Sequence, residues 1–230
     1  MMIDAWILRT SDYKESSKLV VAMSENGVFS FLAKGIRQYK SPYRHLIEPF
    51  RHVRLSLTQG TLPALKDVQP LGGTESLTSL EVISYVEHLA ELFYTLRDTI
   101  AFERLYPYWQ EVLMVLHSDP EGYGMMMEIK LLYVMGITPV FDRCVQCGST
   151  ERQGFSVSQG GMLCKDHQTT DIITNPDVIL SMYQLYHHDV DAPLPTFERA
   201  TLRKLLDQYY SYHVHVETTA RQLIRSIYHY

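Results

Sequence analysis

Three cysteines and one histidine form two closely spaced pairs, and they constrain the fold of this chain more than any other sequence feature. Cys144 and Cys147 are separated by two residues, and Cys164 and His167 repeat that spacing after a spacer of sixteen residues. Such paired knuckles are a zinc-binding pattern, because both side chains of one tight turn can reach the same ion. The chain has only these three cysteines, so a disulfide framework is excluded. We predict one zinc ion held by all four residues.

The number of ligands indicates that this zinc ion is structural. Four protein ligands complete a tetrahedral shell, whereas a catalytic zinc ion generally has three and keeps one position open for water. The segment from Gly154 to Leu163 is typical of a hairpin that turns at Gly160 and Gly161. The array therefore predicts a zinc-ribbon-like hairpin that cannot build a core of its own. If His167 did not bind the ion, a position would stay open and a zinc hydrolase would be the alternative.

No other catalytic motif accompanies the array. The sequence has no H-E-x-x-H, G-x-S-x-G, G-x-x-x-x-G-K-[ST] or G-x-G-x-x-G. We therefore expect a protein that is not an enzyme, has no catalytic residue and has no small-molecule substrate. The pairs His187–His188 and His213–His215 lack a cysteine or carboxylate at a convincing metal-binding spacing, and we expect surface or packing roles for them.

The first 70 residues have the pattern of short β-strands. Val53, Leu55 and Leu57 alternate with polar residues, as in a strand with one buried face. Asn26-Gly27 lies between two apolar runs and predicts a hairpin, because both residues tolerate positive φ. About five strands in this length favour an OB-like barrel, and an SH3-like barrel remains an alternative.

Helical periodicity replaces the strand pattern after Gly72-Gly73-Thr74. Apolar residues recur at helical spacing in residues 82–93, 100–116 and 125–135, after Asn175-Pro176, and over about 197–212. For the methionines at 125–127 and 135, core packing is favoured over a plastic binding surface. We predict an α+β protein with an N-terminal OB-fold β-barrel at 1–75. An α-helical domain at 76–230 would contain the zinc-binding insertion at 140–170.

Basic residues concentrate in the N-terminal part, although the whole chain has a net charge of −5. Residues 1–75 contain ten Lys and Arg and seven Asp and Glu, whereas residues 76–230 contain eleven and nineteen. This asymmetry indicates a nucleic-acid or membrane surface as the partner of the basic part, with a solvated polar face as the alternative. The acidic helical part supports a second hypothesis, a zinc-stabilised scaffold that binds partner proteins.

The cations between residues 34 and 54 are candidate DNA contacts, since this segment contains a single acid, Glu48. Contacts to phosphates give affinity without sequence preference. The primary candidates are Lys34, Arg37, Lys40 and Arg44, and the secondary ones are Lys14, Arg51 and Arg54. Tyr39 and Tyr43 can stack on bases, a contact worth about 1–3 kcal/mol per base, or can pack against the barrel.

Four stretches share their order and spacing with a known family. They are residues 8–18 (LRTSDYKESSK), 33–50 (AKGIR at the start and EPF at the end), 136–148 (GITPVFDRCVQCG) and 155–164 (FSVSQGGMLC). Together they resemble the RecO family of bacterial DNA repair proteins, which are recombination mediators. The resemblance covers residues 8 to 167, and its co-occurrence with the zinc array makes it specific.

This resemblance implies an OB-fold, a helical domain and a zinc-ribbon insertion. It also implies binding of single- and double-stranded DNA and annealing of complementary strands. Members of the family act with RecR, in the RecF pathway, to load the recombinase RecA onto strands coated by single-strand-binding protein. Zinc-containing members commonly carry four cysteines, whereas this chain has His167 at the fourth position. Three cysteines and one histidine are also an accepted zinc shell, so we expect the ribbon to form.

The expected location of the protein follows from its apolar runs and its first residues. The apolar runs are short, and Glu128 and Lys130 interrupt the longest of them, whereas a membrane-spanning helix needs about 20 apolar residues. Met1-Met2-Ile3-Asp4 lacks the basic region of a secretory signal. We expect a cytoplasmic protein without a membrane partner that associates with the nucleoid when it acts on DNA.

Overall fold

Five antiparallel strands dominate the N-terminal part of the computed structural model, which describes residues 1–73 and 77–230. The strands are β1 (Met2–Tyr13), β2 (Ser17–Ser24), β3 (Gly27–Ala33), β4 (His52–Leu57) and β5 (Leu65–Pro70). Their order in the sheet is β3-β2-β1-β4-β5. A parallel bridge between Leu32 and Ala64 joins the two edges, with Leu32 N donating to Pro63 O at 2.8 Å. This curled five-stranded sheet is consistent with the predicted OB-fold.

Apolar side chains from every strand fill the inside of this barrel. Ala5, Ile7 and Phe31 are fully buried, and they pack with the alternating Val53 and Leu55 of β4. The period-2 pattern of β4 therefore points its apolar residues inward, as the sequence predicts.

The hairpin between β2 and β3 forms one residue earlier than the sequence pattern indicates. Ser24 pairs with Gly27, so Glu25 and Asn26 are the two loop residues. Gly27, with φ +114°, is the first residue of β3 rather than the second residue of the turn. The glycine is still required, because few other residues adopt this φ.

Two helices complete the first of the two compact units of the chain, Met1–Ser118 and Asp119–Tyr230. They are α1 (Leu80–Thr95) and α2 (Phe102–Val115). Trp109 of α2 lies edge-on to Trp6 of β1 and to Phe93 of α1, with ring centroids 6.3 and 5.3 Å apart. The helices thus cover the outer side of β1 around Trp6, whereas Arg9, Ser11 and Tyr13 further along the strand are exposed. The predicted domain boundary between residues 75 and 76 lies outside the described residues.

The second unit combines four helices with a three-stranded sheet. Its elements are α3 (Pro120–Val134), β6 (Gly154–Ser156), β7 (Gly161–Leu163), β8 (Ile172–Ile173), α4 (Pro176–His187), α5 (Arg199–Tyr209) and α6 (Thr219–Tyr228). A π-helical turn, Tyr210–Val214, continues α5. None of the helices that the structure describes is long and apolar enough to span a bilayer.

Helix α3 begins five residues before the start that its apolar pattern indicates. Pro120 occupies the first turn, where its missing N–H costs nothing, and the Asp119 side chain accepts a hydrogen bond from Gly122 N at 3.0 Å. Asp119 is therefore the N-terminal cap of α3. The methionines at 125–127 are fully buried, which confirms core packing for these three, and Met135 is half-buried.

We expect Asn175→Ala to destabilise the second unit by about 1 kcal/mol, because it removes the predicted N-cap of α4. The Asn175 side chain accepts a hydrogen bond from Asp177 N at 3.0 Å, directly before Pro176. Urea unfolding of the full chain measures the change, and Asn175→Asp, which keeps the acceptor, serves as the control. An alanine variant as stable as the wild type would show that this cap contributes nothing.

Candidate metal centre and nucleic-acid interface

The structure brings the four residues of the Cys/His array together. Cys144 and Cys147 belong to a tight turn in which Gly148 N donates to Cys144 O at 2.9 Å. Cys164 follows β7 directly, and His167 ends the short 3-10 turn after it. Cys144 and Cys164 are buried, whereas Cys147 and His167 are exposed. The cluster therefore lies at the surface end of the β6–β7 hairpin.

The distances between the ligand atoms suit a single small cation. All four lie within 4.8 Å of one another. The Sγ atoms of Cys147 and Cys164 are 3.8 Å apart, and His167 Nδ1 lies 3.8 Å from Cys144 Sγ and 3.2 Å from Cys164 Sγ. Ligands of a tetrahedral zinc ion with Zn–S bonds of about 2.3 Å are separated by roughly 3.8 Å. The cluster can therefore hold a metal ion.

Backbone N–H groups directed at the thiols favour the charged form that a metal needs. Burial alone would raise the pKa of Cys144, but hydrogen bonds from the backbone of Cys164, Cys147 and Gln146 lower that pKa to about 6. A hydrogen bond from the Ser149 backbone lowers the pKa of Cys147, but burial and the neighbouring sulfurs together outweigh it, so this pKa is raised. The Cys144 thiolate therefore forms readily, and its negative charge disfavours deprotonation of Cys147. A bound cation would offset this repulsion between the thiolates.

The hairpin behind the cluster is fixed by contacts on both sides. Val140 pairs with Gly161 in a parallel bridge, and a Cβ on Gly161 would lie only 2.6 Å from Val140 O. On the other side, Asp171 accepts hydrogen bonds from Ser156 Oγ and Ser158 N at 2.9 and 2.8 Å. Burial raises the pKa of Asp171, but these bonds and one from Thr169 bring it well below the usual range. The predicted hairpin is thus present, but its turn is residues 157–160, and Gly161 is the first residue of β7, where only glycine fits.

The remaining histidine pairs make packing contacts, as expected. His213 Nε2 lies 2.6 Å from Val157 O, which ties the π-helical turn to the β6–β7 hairpin. His187 packs against the rings of Tyr183 and Tyr186, and His188 Nε2 lies 3.0 Å from Ala192 O. Among the described residues, only the Cys/His cluster has the geometry of a metal site.

The sequence pattern missed a buried ion network in the second unit. Glu128 of α3 is fully buried and accepts two hydrogen bonds from Arg203, at 2.6 and 2.7 Å, and one from Arg221 at 3.1 Å. Arg203 and Arg221 are 1 % and 3 % exposed. Asp207 continues the network to both arginines and to Arg225. In the sequence, this network shows only as an acid that interrupts the apolar run of α3.

The basic loop, residues 34–50 between β3 and β4, is anchored to the barrel. Ile36 and Ile47 are 2 % and 0 % exposed and belong to the barrel core. Arg37 N donates to Ser16 O at 2.9 Å, which joins the loop to the β1–β2 turn. Lys34 just before the first anchor, and Lys40 and Arg44 between the anchors, are exposed. The loop therefore presents its cations on a fixed backbone.

The remaining candidate contacts differ in how available their charges are. Arg37 pairs with Asp12 at 3.1 Å and donates to Lys14 O, so Lys14 and Arg37 lie side by side. Arg54 forms a two-point ion pair with Asp4, at 2.7 and 2.8 Å, which neutralises its charge. Arg51 is exposed at the start of β4. The cations of the basic loop remain candidate DNA contacts. The charge of Arg54 is the least available to a phosphate, because Asp4 neutralises it.

The two tyrosines of the basic loop have different environments. Tyr39 is 95 % exposed. Tyr43 packs against the barrel core, and its hydroxyl donates to Asp67 at 2.8 Å, which raises the pKa of the phenol. Tyr39 is thus the residue with a ring face available for stacking, and Tyr43 follows the packing alternative.

Comparisons with known proteins place this chain among the proteins of DNA repair and recombination. The family model described as Recombination protein O N terminal matches residues 1–74, and the one described as Recombination protein O C terminal matches residues 77–222. The chain belongs to the RecO family, as its motifs predict.

Relatives in several bacteria support this assignment, and each is named DNA repair protein RecO. The protein of Syntrophomonas wolfei is 34 % identical over 173 residues, covering 70 % of this chain and 68 % of that protein. The protein of Exiguobacterium is 27 % identical, covering 88 % and 86 %. That of Halalkalibacterium halodurans is 28 % identical, covering 95 % and 91 %. The similarity therefore extends over both units.

Proposed function

We propose that this chain is a recombination mediator that binds single- and double-stranded DNA without sequence preference and anneals complementary strands. The observation that carries the proposal is the basic loop, in which Lys34, Lys40 and Arg44 are exposed on an anchored backbone. Contacts from such cations to phosphates are independent of base sequence. The exposed ring of Tyr39 adds a stacking surface.

Annealing in this proposal requires no chemical step and no catalytic residue. Two complementary strands repel each other through their phosphates, and a basic surface that binds both lowers this repulsion and raises their local concentration. A protein of this kind acts in the cytoplasm on nucleoid DNA. Its partners are RecR, the recombinase RecA and single-strand-binding protein, as the family assignment suggests.

We further propose that the ion in the Cys/His cluster is one structural zinc ion. Three thiolates and an imidazole match the preference of zinc, and four protein ligands leave no position for substrate or water. The ion would join the Cys144 turn to the end of β7, where Cys164 begins the 3-10 turn. Zinc then stabilises the hairpin and takes no part in a reaction.

Replacing Lys34, Arg37 and Lys40 together by alanine is expected to weaken binding to single strands roughly tenfold or more at low salt. The slope of log K against log[salt] should fall by about 2, since each lost phosphate contact removes about 0.7. Fluorescence anisotropy with two unrelated labelled strands at several salt concentrations measures both quantities. The loss should be equal for the two sequences.

The control separates the loop cations from net charge and from folding. Arg37 also anchors the loop, so Lys34→Ala/Lys40→Ala is compared with Arg104→Ala/Lys204→Ala, which removes two exposed cations elsewhere. Equal affinity of these two double variants would remove the loop from the proposal. No binding by the wild type, even at low salt, would favour the protein-binding scaffold instead.

A further inference from the structure

A second cluster of cations lies in the first unit, outside the basic loop. The guanidinium carbons of Arg9 and Arg97 lie 4.6 and 4.9 Å from the centroid of the Tyr94 ring. We call Arg9, Tyr94 and Arg97 the Arg–Tyr–Arg cluster. Two like charges within about 10 Å of each other repel, and an anion close to both offsets this repulsion. In residues 1–73 and 77–230, no carboxylate forms an ion pair with either arginine.

Both arginines keep most of their hydrogen-bonding capacity. Arg97 Nη1 donates to Tyr94 O at 2.8 Å, which uses one of its five N–H groups at the end of α1. The Arg9 side chain forms no hydrogen bond within the described part of the chain. A guanidinium stacked on an aromatic ring is held in place while its N–H groups stay available, which suits two-point binding of a phosphate.

The strand register connects this cluster to the basic loop. Arg9 pairs with Val21 and Tyr13 pairs with Ser17, so Arg9, Ser11 and Tyr13 point to the same side of β1. Four residues of strand span about 13 Å. At the far end the Lys14 ammonium lies 5.5 Å from the Tyr13 ring, and Arg37 donates to Lys14 O. Cations thus lie at both ends of the exposed side of β1 between Arg9 and Tyr13.

Acidic residues limit this surface beyond Arg97. The next cavity is lined by Glu25, Asp98 and Glu103 together with Arg97 itself. Three carboxylates there would repel a phosphate chain. A bound polyanion would therefore run from the Arg–Tyr–Arg cluster back toward the basic loop.

We propose that Arg9 and Arg97, held by Tyr94, bind phosphates of a single DNA strand that continues from the basic loop along the outer side of β1. This inference rests on the proposed DNA binding and names a second contact region for it. The cluster would lengthen the bound segment and would contribute to affinity independently of base sequence.

The test compares Arg9→Gln/Arg97→Gln with the control Arg104→Gln and with the loop variant Lys34→Ala/Lys40→Ala. The probe is a fluorescein-labelled oligothymidylate of about 30 nucleotides, a length that covers more than one basic region. We expect roughly tenfold weaker binding at low salt and a salt slope lower by about 1.4 for the glutamine pair. Arg104→Gln should bind like the wild type, and thermal unfolding should show all variants folded.

The outcomes distinguish this inference from the function on which it rests. If the loop variant binds weakly and Arg9→Gln/Arg97→Gln binds like Arg104→Gln, the inference is overturned and the proposed function stands. If the wild type does not bind the oligonucleotide at low salt, both are overturned. Photocrosslinking with a bromodeoxyuridine strand gives a second readout, since a crosslink to the peptide that contains Tyr94 is expected only when the strand reaches the cluster.

Discussion

Replacing Glu128 by glutamine is expected to destabilise the second unit by about 3–5 kcal/mol. The substitution keeps the shape of the side chain and removes its charge. Arg203 and Arg221, which donate three hydrogen bonds to this carboxylate, would then lose its charge inside the unit and keep their ion pairs with Asp207. An incompletely compensated buried charge costs far more than the hydrogen bonds alone. Urea unfolding of the full chain, followed by circular dichroism, measures the loss.

The matched control is Glu217→Gln in the same unit. Glu217 is 61 % exposed and pairs with Arg225 at 3.1 Å. An exposed pair contributes at most about 1 kcal/mol, so this variant should unfold close to the wild type. If the two glutamine variants were equally stable, the buried network would contribute no more to the stability of the second unit than an exposed ion pair does.

The sequence could not predict this network, because its members lie far apart along the chain. Glu128 is separated from Arg203 by 75 residues and from Arg221 by 93. Periodicity places a residue on a face of its own helix and carries no information about which helix packs there. Glu128 appears in the sequence only as an interruption of an apolar run. Its partners depend on how α3, α5 and α6 pack.

Features encoded within a few residues were predicted well. The spacing of Cys144, Cys147, Cys164 and His167 identifies the cluster, because the turn geometry that brings each pair together is local. The N-cap at Asn175 is local in the same sense. The apolar pattern predicts a start of α3 that is too late, because Asp119-Pro120 serves both to end one segment and to cap the next helix.

The basic loop was only partly predictable, because some of its features are local in sequence and others depend on long-range contacts. Its cations follow from composition, but its anchoring depends on Ile36 and Ile47 reaching the barrel core, which requires the closed barrel. The same closure distinguishes Tyr39 from Tyr43, since only Tyr43 comes within reach of Asp67. The pairing of Arg54 with Asp4 also depends on strand register, because β1 and β4 place these residues directly opposite each other.

Replacing Cys164 by serine is expected to abolish metal binding and to disorder the hairpin behind the cluster. Cys164 is 3 % exposed and its sulfur lies within 3.8 Å of both Cys147 Sγ and His167 Nδ1. A neutral hydroxyl replaces a thiolate there, and the strands that meet at the cluster are only three residues long. Structural zinc sites contribute roughly 10 kcal/mol or more of apparent binding free energy in small zinc-dependent folds. Elemental analysis should find one zinc ion per wild-type chain and none in the variant.

Two further variants decide whether His167 is the fourth ligand. His167→Cys should retain one zinc ion per chain, because four thiolates also form a closed tetrahedral shell. His187→Ala, which alters a histidine packed against tyrosine rings, should leave the metal content unchanged. Metal affinity of the wild type should fall with decreasing pH, since protons compete for the thiolates and the imidazole. Full zinc content in Cys164→Ser, or an open water-bearing position seen by X-ray absorption, would contradict a closed structural site and revive the hydrolase alternative.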